Sequence, residues 1–262
     1  MPNPKRKSEF VRNNSVEIET YVDGQGPAFV ILPSYGRDGG KDFDDITARV
    51  VGAGWKVLRP QPRGVAGSKG PMTDVILHDL ADDVASCIRS LCDGPAVLLG
   101  HALARMAATD HPELVKAVIL ASSQATEVPE DIAKTPFIVG DTSAPEADRL
   151  AALREAFFAP DRDARIWLEG WYPETLTMQH AAVQAVALAD YWACGGVPLL
   201  ELIGARDPFK PKAYWNELRD QFGDRVTTVV IDASHALFPE QPDMVADAVL
   251  PWLARYYHDG ER

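Results

Sequence analysis

The sequence predicts an α/β protein built on a mostly parallel central sheet with helices on both faces. Three observations carry that reading. Short apolar runs alternate with amphipathic helical stretches along most of the 262 residues, the pattern of a parallel sheet covered on both sides. One run, residues 96–99, passes through Gly100-His101-Ala102-Leu103-Ala104 straight into a helical pattern. Two polar candidates, Asp207 and His235, stand just past two later runs, where the crevice of such a sheet lies.

The elements follow in order. Residues 16–22 alternate apolar and polar side chains, as a half-buried antiparallel strand does. Residues 28–32 are a short apolar run ended by Pro33, the mark of a buried strand. Residues 42–52 read as a helix and 54–60 as the next strand, and the glycine- and proline-rich stretch 60–71 is a loop. Residues 73–92 place Val75, Ile76, Leu80, Val84, Ile88 and Leu91 at helical spacing, with Asp79, Asp82 and Asp83 facing outward. After the 96–100 strand and its helix come strands at 117–121, 197–204 and 226–231, the last two read as buried. Residues 244–257 close the chain as an amphipathic helix.

Residues 124–193 break the rhythm. They hold Trp167, Trp171, Trp192, Tyr172, Tyr191, Phe157 and Phe158, with helical stretches near 146–158 and 179–191. They read as a helical lid inserted over the carboxyl ends of the strands, between core segments 1–123 and 194–262.

Composition narrows the function classes. With 46% apolar residues the chain buries a sizeable core, and its net charge of −12 argues against nucleic acid. The basic cluster Lys5-Arg6-Lys7 reads as a frayed, solvated tail. No apolar run approaches the ~20 residues needed to span a bilayer, and no secretory apolar segment opens the chain. Cys87, Cys92 and Cys194 lack metal-ligand spacing, which favours reduced thiols in the cytoplasm. No histidine pair has metal-ligand spacing, and no Gly-Lys-Ser/Thr follows the glycines of 36–40. The expectation is therefore no metal and no cofactor. The expected partner is a small molecule, and the sequence permits a homo-oligomer.

The turn at residues 100–104 has the strand-to-helix setting of a G-x-S-x-G nucleophile elbow. Ala102 stands at the serine position and Ala104 replaces the second glycine. Alanine offers no nucleophilic atom, so no acyl-enzyme forms there. The order of nucleophile position, Asp207 and His235 follows the Ser…Asp…His order of one hydrolase fold. In that arrangement Asp207 holds the His235 imidazole in the right tautomer. Taken singly, the aspartate reads as a helix cap and the histidine as a structural group. Their order and matching elements favour the dyad.

With these residues in place, the chain resembles the α/β-hydrolase fold family from about Ile18 to Tyr256. The resemblance also rests on Leu32-Pro-Ser-Tyr-Gly36, Pro60-Gln-Pro-Arg-Gly64, Gly67-Ser68 and His111-Pro-Glu-Leu-Val115. It is similar to a bacterial branch whose elbow reads Gly-His-Ala, which favours a natural alanine at 102 over an engineered one. The resemblance implies an oxyanion hole made by the N–H of Leu103 and that of Tyr35 or its neighbour. It also implies a pocket reached by Ser34, His101 and Ser123. Relatives carry about four more residues between the nucleophile position and the His-Pro pair. Four residues advance a helix by ~400°, so the shorter helix nearly keeps its buried face. The loss leaves Ala104 and Arg105 to crowd the turn.

Other groups have plainer readings. Ser34, Ser122, Ser123 and Ser234 read as structural hydroxyls or ligand contacts, and Cys194 as buried and inert. His78, His111, His180 and His258 read as surface or packing groups. Trp167 and Trp171 share a helical face and read as anchors of the lid that also line, with Trp192 and Phe238, part of a pocket for a small apolar or aromatic substrate.

Three functions compete. The first is a relative of small-molecule ester hydrolases, silenced or crippled at Ala102. The second is nucleophile-free chemistry with His235 as general base on the substrate or a water. The third is a binding module without turnover.

Overall fold

The computed structural model describes residues 7–257. Eight strands form one sheet: β1 (Ser8–Asn13), β2 (Val16–Asp23), β3 (Ala28–Ile31), β4 (Lys56–Pro60), β5 (Ala96–Gly100), β6 (Val115–Ala121), β7 (Leu199–Gly204) and β8 (Val226–Ile231). Their order across the sheet is β1-β2-β4-β3-β5-β6-β7-β8. The β1–β2 and β2–β4 pairings are antiparallel and the rest are parallel. Ten α-helices are described: α1 (Asp44–Gly52), α2 (Leu77–Leu91), α3 (Ala102–Asp110), α4 (Glu130–Gly140), α5 (Glu146–Ala156), α6 (Pro173–Gln184), α7 (Leu188–Tyr191), α8 (Glu217–Phe222), α9 (Leu237–Glu240) and α10 (Pro242–Leu253).

The period of two along each strand sorts the core into two layers. Phe29, Ile31, Val57, Val97, Leu99 and Ile119 point to the face covered by α1 and α10. Val30, Leu58, Leu98, Val118 and Leu120 point to the face covered by α2 and α3. Both faces of the central strands are therefore apolar, which explains their unbroken hydrophobic runs.

Three details differ from the sequence reading. The stretch from Lys7 onward is no tail, because Ser8–Asn13 pairs with β2 along its whole length; Lys5 and Arg6 lie outside the described residues, as does His258. The 226–231 strand is the sheet's edge, so Val230 is exposed. Asp83 faces inward: its carboxylate accepts from Arg63 Nε and Nη2 at 2.7 and 3.0 Å, and both side chains are buried. Helical spacing alone does not tell a paired buried carboxylate from a solvated one.

The segment between β6 and β7 carries α4 to α7. The expected single helical stretch at 179–191 is two helices, α6 and α7. Pro173 opens α6 at a position where a missing N–H costs nothing. Hydrogen bonds tie the segment to the core at both ends and along its length. Ala125 N donates to Phe209 O at 2.8 Å, and Tyr172 N to Gly36 O at 2.8 Å. Gly36 N donates to Gln179 Oε1 at 2.8 Å. At the far end Arg225 Nη1 donates to the carbonyls of Ala193 and Val197 at 2.9 and 2.7 Å. Gly195 beside them has φ +59°, and a Cβ there would lie 2.0 Å from Ala108 O. Only glycine allows that approach to α3.

Candidate active site

The carboxyl ends of β3, β5, β6, β7 and β8 deliver the polar groups of the site. Asp207 follows β7, with its side chain fully buried, and His235 follows β8. His235 Nδ1–H donates to Asp207 Oδ2 at 3.0 Å. Phe209 N donates to Asp207 Oδ1 at 2.9 Å, so both carboxylate oxygens are engaged. That pairing makes the buried charge tolerable. Gly204 lets the two loops touch, since a Cβ there would fall 2.3 Å from Ser234 O. Ser122, at φ +52°, donates its hydroxyl to His235 O at 2.7 Å. The rings of Phe157 and Phe209 pack on the imidazole with centroids 5.4 and 4.5 Å away.

Beside the dyad lies a cavity of about 150 Å³. Ser34, Tyr35, His101, Ala102, Ser123 and His235 border it from the core, and Trp167, Trp171 and Trp192 from the segment above. Phe238 does not reach this cavity. It lines a smaller neighbouring one that shares Ser34, His101 and His235, and its ring packs on Phe43 at 4.9 Å. Trp167 and Trp171 have two sets of neighbours. They are buried in one cluster with Phe157, Phe158 and Leu153, and their faces also border the cavity.

The elbow turn is sharp, but its bend falls on His101, at φ −116° and ψ −129°. Ala102 opens α3 directly. Leu103 N is in the first turn of that helix, where N–H groups have no intrahelical acceptor. The Leu103 side chain turns away, into a separate small cavity. His101 Nε2 lies 3.4 Å from Ser34 Oγ, and its ring stacks toward that of His235 at 6.3 Å. Burial, with His235 and Arg105 nearby, lowers the His101 pKa from 6.5 to about 3. The group is therefore neutral at physiological pH. Burial also raises the Tyr35 pKa, and neighbouring Tyr191 adds to it.

The expected crowding by Ala104 and Arg105 does not occur. Ala104 is fully buried in the α2–α3 layer. Arg105 points along the cavity floor, where it donates to Trp192 O at 2.9 Å and Ser123 Oγ at 3.1 Å. Sequence reasoning singled out Arg105 but gave it no place, and it missed Phe157, Phe209 and Arg37. Phe209 had a usable signal, two residues after Asp207. Arg37, packed 4.4 Å over Trp167 and paired with Asp42 at 2.8 Å, had none. Among the described residues no group of three or more His, Cys, Asp or Glu is placed to hold a metal. No helix among them is long and apolar enough to cross a membrane.

The sequence model of the alpha/beta hydrolase family matches residues 29–248. The chain belongs to the alpha/beta hydrolase family. This alpha/beta hydrolase is 25% identical over 255 residues to a pimeloyl-[acyl-carrier protein] methyl ester esterase of Aeromonas hydrophila subsp. hydrophila, covering 90% of this chain and 98% of that one. Among solved structures it is similar to the enol-lactonase from Burkholderia xenovorans LB400, with a TM-score of 0.80, 21% identity, and coverage of 94% and 100% of the two chains. It is also similar to an esterase from Exiguobacterium antarcticum, with a TM-score of 0.77, 18% identity, and coverage of 95% and 100%. At these identities the two solved structures share the fold of this alpha/beta hydrolase.

Proposed function

We propose that this alpha/beta hydrolase cleaves a small ester-type substrate without a covalent intermediate. His235, oriented by Asp207, acts as general base on a water. The observation that carries this reading is the hydrogen-bonded Asp207–His235 pair opening onto a cavity above Ala102. A water would lie in the space left by the absent hydroxyl and attack the substrate carbonyl carbon as His235 Nε2 takes its proton. The N–H groups of Tyr35 and Leu103 would hold the oxyanion. Collapse would then expel the alcohol, which takes the proton back from His235. The ester esterase similar to this chain supports the reaction class.

In the same reading, residues 124–193 cover the site and supply its apolar wall for a small aromatic or apolar acyl group. Three unpaired cysteines, two of them buried, support a cytoplasmic setting.

The test is hydrolysis of a panel of aryl esters by the chain beside its His235→Ala variant. Turnover above background, reduced about 10²-fold or more in the variant, supports the base. Equal rates from both proteins, or no turnover from either, overturn the proposal, and the second result favours a binding pocket.

A further inference from the structure

Two charged groups that the proposed reaction does not use border the cavity, Arg37, which is ion-paired with Asp42, and Arg105. Arg105 is 2% exposed and borders the cavity floor. Nη1 donates to Trp192 O at 2.9 Å and lies 3.9 Å from Cys194 Sγ, and Nη2 donates to Ser123 Oγ at 3.1 Å. The indole of Trp192 lies 4.3 Å from the guanidinium carbon. Every one of these partners is neutral.

Three other buried arginines are neutralised. Arg37 pairs with Asp42, Arg59 with Asp23 and Asp44, and Arg63 with Asp83. Arg149 has only carbonyl partners, but it caps the last turn of α4 through Val139 O and does not border the cavity. Arg105 alone combines burial, a place on the cavity wall and, among the described residues, no ion-paired carboxylate. The buried Glu201 feels Arg105 only through space: its ion pair is with Lys210, 3.0 Å away, which also bonds Glu217. A guanidinium removed from water is costly unless an anion meets it.

We propose that Arg105 and Ser123 form a carboxylate-binding subsite at the cavity floor, so that the substrate carries an anionic group. This names the substrate class of the site proposed above and rests on that cavity binding a ligand, not on His235 acting as a base. The planar fork of a guanidinium suits a carboxylate. Burial keeps the phenols of Tyr35 and Tyr191 protonated, so they add no competing negative charge. The cavity of about 150 Å³ matches one aromatic ring, since an apolar cavity of about that size holds benzene.

The experiment measures binding of benzoate and of benzamide, equal in size and differing in charge, to the full chain by calorimetry and tryptophan fluorescence. Benzoate is expected to bind at least about tenfold tighter. Arg105→Met should bring benzoate to the level of benzamide. Ser123→Ala, which keeps the buried charge, should weaken benzoate about threefold or more and leave benzamide unchanged. Equal affinities in the unaltered chain overturn the subsite, as does unchanged benzoate binding in Ser123→Ala or in a folded Arg105→Met. His235→Ala separates the two proposals. Lost turnover with benzoate preference intact upholds the subsite together with the base, while intact turnover with that preference absent from the unaltered chain sinks the subsite alone.

Discussion

At position 102 a methyl group borders the cavity where acyl transfer would need a hydroxyl. Placing one there tests the proposed site, because the Asp207–His235 pair is already formed. Ala102→Ser is expected to raise aryl ester turnover at least about tenfold and to give an acyl-enzyme visible by mass spectrometry. No acylation would show that the N–H groups of Tyr35 and Leu103 do not converge on one oxygen. His101 next to it gives a pH prediction. Its pKa falls from 6.5 to about 3 on folding, so the unfolded chain binds the extra proton first. The stability this contributes is complete above about pH 6.5 and is lost as pH falls toward 3. Lowering the pH from 7 to 4 should therefore destabilise the chain more than its His101→Gln variant. Urea midpoints at both pH values check this, and a constant difference between the two proteins would count against a buried, neutral imidazole.

At the scale of elements, the legible parts are those whose environment is symmetric. The runs at β3, β5 and β6 are apolar on both faces because helices cover both, and pattern reading finds them. β1 was missed because Ser8-Glu-Phe-Val-Arg-Asn13 lies at an edge with one side open, so polar residues dilute its signal. Asp83 was misplaced because its partner Arg63 sits on a loop 20 residues away in sequence. The Asp207–His235 pair was legible from order and position after strands. Arg105 and Phe157 were not, because their places in the site depend on where the 124–193 segment lies against the core. Such contacts between distant parts of the chain leave no local period to read.

Over the whole molecule, the segment between β6 and β7 is bound to the core near residue 125, at Gly36 and again beside Gly195. Swinging it as a rigid door would break bonds at both ends and in the middle. If the proposed cavity is reached without moving that segment, ligand entry has no slow gating step. In stopped-flow fluorescence, which the cavity tryptophans make sensitive, the observed rate of benzoate association is expected to rise linearly with concentration. A plateau would reveal a rate-limiting opening. A linear rise would mean that selectivity resides in how long a ligand stays, with residence time set by the floor and the wall of the cavity.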